Sequence, residues 1–365
     1  MKGSAKGTLV LLCVVLLSGS CKRQEPDLIP EEFKLHAMQI EVPEGFPAIE
    51  PAEENPLTEE GVALGRLLFY DVRLSGNNRI SCASCHDPAL AFSDGVALSA
   101  IGASGEQLHR HAPALINLAW AKNGLFWDGG ASNLESQAFA PLSSPDEMYQ
   151  NLTELEHELK QVPDYVNRFK QVFQAEIKSV YVVKALAQFE RTLVSAKSRY
   201  DRYQRKAPGV SFSPEESLGL SLVNLKCRSC HSGELFTDNN YHNNGLDQDF
   251  SNTQFEGLYQ GRYRISYQLS DLGKYKTPTL RNVLRTAPYM HDGRLSTIEE
   301  VLDHYEHGVK TYMTTDPLLN QWDGKPGIPL SSAEKKAIIA FLGTLTEPEF
   351  GINQKMNNPF NHFKK

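Results

Sequence analysis

Two five-residue strings contain the residue types that hold a redox cofactor. They are Cys82-Ala83-Ser84-Cys85-His86 and Cys227-Arg228-Ser229-Cys230-His231, and each fits the pattern C-x-x-C-H. In this pattern the two thiols add to the vinyl groups of one porphyrin, and the histidine that follows binds the iron as proximal ligand. A redox-active C-x-x-C pair or half of a zinc site leaves the histidine after both pairs unexplained. The strings therefore predict two covalently bound haem c groups and a role in electron transfer.

The N-terminus has the composition of an export signal. Lys2 and Lys6 precede an apolar stretch from Thr8 to Leu17, which has signal-peptide length and is too short to cross a membrane. Small residues then lead to Cys21, which predicts lipidation of Cys21; an ordinary signal peptide cleaved nearby is the alternative. Covalent haem and export together predict a periplasmic protein that meets the membrane only through a lipid anchor.

The net charge of the chain indicates which classes of macromolecule it binds. The chain carries a net charge of −7, and loss of Lys2 and Lys6 with the signal leaves −9. This negative net charge argues against nucleic acid as a partner. It favours a basic redox protein as the partner, guided to the surface by electrostatic attraction.

Helices are predicted to position both motifs. Apolar residues recur at helical spacing from Thr58 to Tyr70, and a loop then leads to the first motif. The same layout precedes the second motif, where Ser213 is a plausible N-cap and Pro214 the first helical residue. A helix that runs into C-x-x-C-H is how a cytochrome c domain begins. The repetition therefore predicts two such domains from an internal duplication.

The rest of the chain also has helical periodicity. Long helical patterns over 152–173, interrupted by Pro163, and over 180–203 link the two motifs, and Ser331 with Glu334 has the form of a capping box before a last amphipathic helix. No run shows convincing strand alternation, so the predicted class is all-α, with two cytochrome c-like haem domains and long linking helices. The predicted boundaries are a lipoprotein signal over 1–20, a tether and entry segment over 21–55, an N-terminal haem domain over 56–208, a C-terminal haem domain over 209–350 and a tail over 351–365.

Further segments have a characteristic order along nearly the whole mature chain. They are 64–71 (LGRLLFYD), 81–86 (SCASCH), 110–117 (RHAPALIN), 126–129 (FWDG), 276–282 (KTPTLRN) and 287–293 (APYMHDG), with Gln137, Pro141, Glu147 and Met148 between them. This set resembles the bacterial di-haem cytochrome c peroxidases, a family that includes the methylamine-utilisation enzyme, which oxidises tryptophans on a partner protein.

The resemblance assigns different roles to the two haems. It implies that the N-terminal haem, with His86 as proximal ligand, is the peroxide site. The C-terminal haem, with His231 as proximal ligand, would feed it electrons. By the same resemblance Glu147 is the catalytic glutamate that moves a proton between the peroxide oxygens, and Gln137 shapes the same pocket. Taken alone, Glu147 reads as a solvated surface acid and Gln137 as a polar residue on a helix surface.

Trp127 matches the tryptophan that couples the two haems in the family. Outside this context, a tryptophan in an apolar stretch is usually core packing. Gly130 departs from the family, which usually carries arginine at this position, and the departure removes a contact to a propionate or a neighbouring loop.

The resemblance also locates a ligand that is missing here. Many members have a histidine on a mobile loop that caps the peroxide-site iron at rest, and Ala103 occupies the aligned position. We therefore expect a five-coordinate N-terminal haem that needs no reductive activation. His109 as the capping ligand is the alternative, and both His109 and His111 also read as ordinary loop or packing residues.

Two further sites depend on the resemblance. In the family an asparagine and the carbonyls matching Thr286 and Pro288 bind calcium between the haems. This chain has His111 at the asparagine position. Histidine is a poor calcium ligand, although the carbonyls and waters remain.

In the family pattern, the distal ligand of the C-terminal haem falls on Tyr305. Tyrosine is a hard donor that would lower the reduction potential of that haem relative to methionine. Met290 and Met313 are alternatives for that ligand, and a helix-packing tyrosine is the plain interpretation of Tyr305.

Three functions follow from these patterns. The first is reduction of hydrogen peroxide to water with electrons from a small c-type cytochrome or copper protein, received at the C-terminal haem and passed to the N-terminal haem. The second is peroxide-dependent oxidation of side chains on a partner protein. The third is a di-haem electron carrier without peroxide chemistry. Family members are often dimers, which leaves a homodimer open.

Overall fold

Helices dominate the architecture, as the sequence predicts. The structure is a computed structural model that describes Met1, Gly3, residues 34–320 and residues 324–360. Within these residues the only paired strands are β1 (Tyr241–His242) and β2 (Tyr275–Lys276), which form one short antiparallel pair. The helices are α1 (Glu59–Phe69), α2 (Leu134–Ser143), α3 (Leu152–Lys160), α4 (Pro163–Phe173), α5 (Ser179–Arg191), α6 (Arg199–Gln204), α7 (Pro214–Lys226), α8 (Gln254–Gly257), α9 (Tyr263–Ser266), α10 (Ile298–Asp303) and α11 (Ser332–Thr344).

The predicted signal peptide and the predicted lipidation site fall almost entirely on residues that the structure does not describe. Apart from Met1 and Gly3, residues 1–20 lie outside the described residues, and so does Cys21. By its contacts the chain divides into a short unit, Met1–Lys34, and a large unit from Leu35 onward. Across the described residues, no helix has both the length and the apolar character needed to span a membrane.

Local sequence signals predict several helix ends correctly. Ser213 caps α7 through a capping box with Glu216, and Ser331 caps α11 in the same way with Glu334. The prediction of a continuous helical pattern over 180–203 is wrong, because α5 ends at Arg191 and α6 begins at Arg199. In the break, the Ser195 N–H donates to the Asn117 side chain at 2.8 Å, a distant partner that sequence periodicity does not contain.

Each of the two hydrophobic cores is built around an equivalent helix pair, one in each half of the chain. The first half means residues 56–208, and the second half means residues 209–350. In the first core α1 packs against α5 with Leu64, Leu68 and Phe189 fully buried, and in the second α7 packs against α11 around Val223 and Phe341. Each pair thus places the helix before a C-x-x-C-H motif against a later helix of the same half. This repetition supports the proposed duplication of a cytochrome c-like unit.

The glycine at each helix crossing repeats as well. A Cβ on Gly65 of α1 would overlap the carbonyl oxygen of Ala185 in α5, and a Cβ on Gly219 of α7 would overlap the carbonyl oxygen of Ala337 in α11. The absence of a side chain therefore lets the two backbones touch at the equivalent point of both pairs.

The segment after α11 returns to the first core. Phe350 is 1% exposed there, and Met356 and Phe360 pack beside it. The Arg66 and Tyr70 side chains of the first half donate to the carbonyls of Gln354 and Met356, both at 2.6 Å. Residues at the end of the proposed C-terminal domain and in the proposed tail thus help to build the N-terminal haem region.

Candidate active site

The first C-x-x-C-H motif lies on a tight turn that orients its histidine. Cys82–Ser84 form one 3₁₀ turn after Ser81, and the His86 N–H donates to the Cys82 carbonyl at 3.0 Å. The His86 Nδ1 lies 2.8 Å from the Phe92 carbonyl oxygen. Because that carbonyl can only accept, Nδ1 carries the proton, and Nε2 is the nitrogen left to bind a metal.

The histidine of the second motif is also oriented by backbone carbonyls. The His231 Nδ1 lies 3.2 Å from the Phe236 carbonyl oxygen and 3.1 Å from that of Pro278. Phe92 and Phe236 both have positive φ, at 61° and 52°, and this conformation helps to turn their carbonyls toward the histidines. Neither carbonyl is among the functional groups predicted from the sequence. The recurrence of a phenylalanine five or six residues after each histidine is the only signal for them in the sequence.

The surroundings of three motif cysteines disfavour the thiolate form. Burial raises the pKa of Cys85 and of Cys227 to about 11 and also raises that of Cys82. A reactive C-x-x-C pair needs a lowered thiol pKa, so this environment disfavours the redox interpretation.

A large, mostly apolar cavity begins at the second motif. Cys227, Cys230 and His231 line it together with aliphatic side chains, among them Val223, Leu280, Val283, Leu302, Ile338 and Leu342. A planar apolar macrocycle with a histidine-bound iron fits such a wall. The same cavity extends to Trp127, His111 and Gln137 of the first half.

Glu147 lies beside the loop where the missing capping ligand would be. The Ala103 N–H donates to the Glu147 carbonyl oxygen at 2.6 Å, and a Cβ on Gly102 would overlap the Asp146 carbonyl oxygen. Burial, with a smaller effect from the Asp146 charge, raises the pKa of Glu147 to about 7. The Glu147 charge in turn acts on the Cys85 thiol, which places this carboxyl near the first haem motif. The structure therefore brings together the predicted acid and a loop position whose side chain cannot bind iron.

Gln137 offers a free acceptor to the cavity. It lies on α2, which begins with Asn133 as N-cap, and its side chain is buried. Its Oε1 has no hydrogen-bond partner in the protein although it is fully shielded, and Gln137 lines the cavity. An unpaired buried acceptor at this place suits a small hydrogen-bonding substrate. Sequence analysis did not predict α2, although Asn133 and Ser136 form its capping box.

Two hydrogen bonds, one to each half of the chain, fix the position of Trp127. Its Nε1–H donates to the His111 carbonyl at 2.8 Å, and its own carbonyl accepts from the Lys276 N–H at 2.8 Å. Trp127 thus connects the segment 110–117 of the first half to the segment 276–282 of the second while it lines the shared cavity.

Asp128, two residues before the position at which Gly130 departs from the family, binds two arginines. Asp128 is fully buried and accepts from Arg110 at 2.7 Å and from Arg264 at 2.9 Å. Burial alone would raise the pKa of Asp128, but these two guanidinium groups hold it below its usual range. The Gly130 N–H donates to the same carboxylate at 2.9 Å, so Asp128 links Gly130 to Arg264 of the second half.

His109 contacts two aromatic residues of the second half. Its ring lies against Phe255 with centroids 3.7 Å apart and planes inclined by 32°, and its Nδ1 lies 3.1 Å from the Tyr259 hydroxyl. These contacts hold His109 against the second half of the chain.

Tyr305, the predicted distal ligand of the C-terminal haem, lines the cavity beside the second motif. It belongs to the π-helical turn His304–Gly308, lines the cavity with Cys227 and Cys230, and has its pKa raised to about 12 by burial. Met290 also lines the cavity, and its sulfur accepts from the Asn244 amide at 3.3 Å. Met313 is 80% exposed and does not reach this site.

Comparisons with known proteins decide the family. The family model described as di-haem cytochrome c peroxidase matches residues 59–208. Methylamine utilization protein MauG of Methylorubrum extorquens is 38% identical over 294 residues, which are 80% of this chain and 79% of that protein. The chain belongs to the di-haem cytochrome c peroxidase family. The resemblance inferred from the motifs is thereby confirmed.

Other members of this di-haem family match with similar coverage. Cytochrome-c peroxidase IdrP1 of Pseudomonas sp. (strain SCT) is 33% identical over 335 residues, 83% of this chain and 85% of that protein. Among solved structures, a MauG-like protein associated with microbial copper homeostasis is 30% identical with a TM-score of 0.80, covering 88% of this chain and 99% of that chain. Membership in the di-haem family implies two haem cofactors, and both C-x-x-C-H sites fit them.

Proposed function

We propose that this di-haem protein reduces hydrogen peroxide to water, with the peroxide site at the haem bound by His86. The observation that carries the proposal is the half-buried Glu147, whose pKa is raised to about 7, beside the loop position Ala103. When bound, the haems supply the iron chemistry that cleaves the oxygen–oxygen bond and stores electrons.

The protein's own groups manage the protons and the position of the peroxide. Glu147, with its pKa near neutrality, is suited to take a proton from one peroxide oxygen and return it to the other. The free Oε1 of Gln137 is a natural acceptor for a peroxide hydrogen. Trp127, held between the two halves, is the proposed coupling group between the haem sites.

The electron supply is proposed from charge and from the family. A small basic c-type cytochrome or copper protein in the periplasm would deliver electrons at the C-terminal haem, with Tyr305 as the proposed distal ligand there. Lipidation at Cys21 would keep the enzyme at a membrane surface.

Replacement of Glu147 by glutamine tests the proposal. We expect Glu147→Gln to lower peroxide turnover by about 10²–10⁴-fold, because the amide cannot carry the proton. Glu106→Gln is the matched control, since Glu106 is exposed in the neighbouring loop. Equal turnover by Glu147→Gln and the parent would exclude Glu147 as the acid/base. Absence of turnover in the parent with any donor would favour the electron carrier.

A second function has its own support. Ala103 and Tyr305 together match the expectation for a peroxide-dependent oxidase that modifies side chains on a partner protein, and MauG is among the relatives at 38% identity. Peroxide added to the enzyme with its co-encoded partner would leave a mass increase on that partner. Turnover that depends only on a small redox donor, with no modified protein, would exclude this function.

A further inference from the structure

His111 is the centre of a buried polar cluster that the peroxide chemistry does not use. The residue is 4% exposed. Its Nδ1 lies 2.8 Å from the Val96 carbonyl oxygen and 3.3 Å from Oδ1 of Asp94, whose side chain is only 3% exposed. Its Nε2 lies 3.3 Å from the Ser93 hydroxyl. Both ring nitrogens therefore face oxygen atoms.

Both ring nitrogens are occupied by neighbours within the cluster. The Val96 carbonyl can only accept, so Nδ1 donates to it. The Ser93 hydroxyl donates to the Ala112 carbonyl at 2.9 Å, and its oxygen lies 3.3 Å from Nε2. Neither nitrogen is therefore open to a further ligand.

The cluster lies between the two halves of the molecule. The His111 N–H donates to the His291 carbonyl at 2.9 Å, and the His111 carbonyl accepts from Trp127. His111 also shares the wall of the large cavity with Thr286 and Pro288, whose carbonyls the family resemblance assigns to calcium.

These residues do not fit calcium. Calcium takes 6–8 oxygen ligands, whereas His111 brings two nitrogens that already contact neighbouring oxygen atoms. Among the described residues no group of three or more His, Cys, Asp or Glu side chains could hold a metal ion.

We infer that the His111 ring, held by Val96, Asp94 and Ser93, closes this site to calcium, so that the protein works without bound calcium. The second oxygen of Asp94 is buried without a partner in the protein, so the decisive experiment measures calcium itself.

The experiment uses the purified holoprotein before and after dialysis against EGTA. Elemental analysis should find well below one calcium ion per chain, and titration with calcium chloride in a calorimeter should show no saturable binding. EGTA should leave the absorption bands and reduction potentials of both haems unchanged. One calcium ion per chain, removed by EGTA with a change in the haem bands, would overturn the inference.

Substitutions test the pair itself. His111→Asn and Asp94→Asn should each lower the melting temperature of the holoprotein, and the double variant should lose less than the sum of both because the two groups act together. His111→Asn restores the residue that the family resemblance assigns to calcium and should gain binding of one calcium ion. The control is His157→Asn on the exposed side of α3, which should change neither property. Strictly additive losses in the double variant would overturn the pairing.

Discussion

At the scale of single residues, the raised pKa of Glu147 predicts a pH profile. The group is protonated below its pKa of about 7 and ionised above it. Because a general base must be ionised to take the peroxide proton, kcat/KM for peroxide should fall about tenfold per pH unit below 7 and level off above it. Steady-state rates from pH 5 to 9 measure the profile. Glu147→Gln should lack this acidic limb, and the same limb in that variant would assign it to another group.

Tyr305 predicts the redox behaviour of the C-terminal haem. Replacement by methionine should raise the reduction potential of that haem, because a neutral thioether favours ferric iron less than an oxygen donor does. A spectroscopic redox titration that resolves the two haems would measure the shift. Met290→Leu is the control, and a shift there instead of at Tyr305 would make Met290 the ligand.

The sequence predicts residues whose role depends on their own chemistry. Cys82, His86 and Glu147 carry motif types and spacing that can be recognised without a structure. The carbonyls of Phe92 and Phe236 could not be predicted, because a backbone carbonyl has no signature in the side chain that bears it. Their function depends on the positive φ that folding imposes at those residues.

At the scale of elements, the two helix crossings predict that alanine at either crossing glycine lowers the stability of the protein. Gly65→Ala and Gly219→Ala should each destabilise their own core by about 1–3 kcal/mol, because the new methyl group would force apart two packed backbones. Gly343→Ala in α11 is the matched control, since its nearest neighbour is the Leu284 side chain at 3.8 Å. The free energy of unfolding of Gly343→Ala should equal that of the parent or exceed it by up to about 1 kcal/mol, because alanine has a higher helix propensity than glycine.

Hydrogen exchange of the holoprotein distinguishes the two crossings. Gly65→Ala should reduce protection in α1 and α5, whereas Gly219→Ala should reduce it in α7 and α11. Loss of protection in both helix pairs from either variant would show that the two cores unfold together.

Helix ends differ in how far sequence alone can place them. The starts of α7 and α11 can be predicted from signals within four residues: Ser213 as N-cap followed by Pro214 for α7, and the capping box of Ser331 with Glu334 for α11. The end of α5 was not, since the break before α6 depends on Asn117, which is distant in sequence. Interactions within one turn are visible in periodicity and caps, but tertiary partners are not.

At the scale of the whole molecule, one buried polar network joins the two halves. The Ser195 hydroxyl donates to the Glu347 carboxylate at 2.8 Å and accepts from the Asn282 amide at 2.8 Å, and Asn117 binds the Ser195 backbone. Asn117 and Asn282 both have positive φ and begin equivalent turns in the two halves. The network is satisfied only when both halves and the segment after α11 are in place, so it couples their folding.

Phe350 extends this coupling to the first haem site. Its ring packs edge-on against Phe92 at 6.0 Å, and the Phe92 carbonyl orients the Nδ1 of His86. Phe350→Ala should cost about 3–5 kcal/mol and loosen His86 through Phe92. We therefore expect the absorption bands of the N-terminal haem to change while those of the C-terminal haem stay the same. Ile352→Ala, at a side chain that is 62% exposed, should change neither. Altered bands of the C-terminal haem alone would mean that the returning segment serves the second site instead.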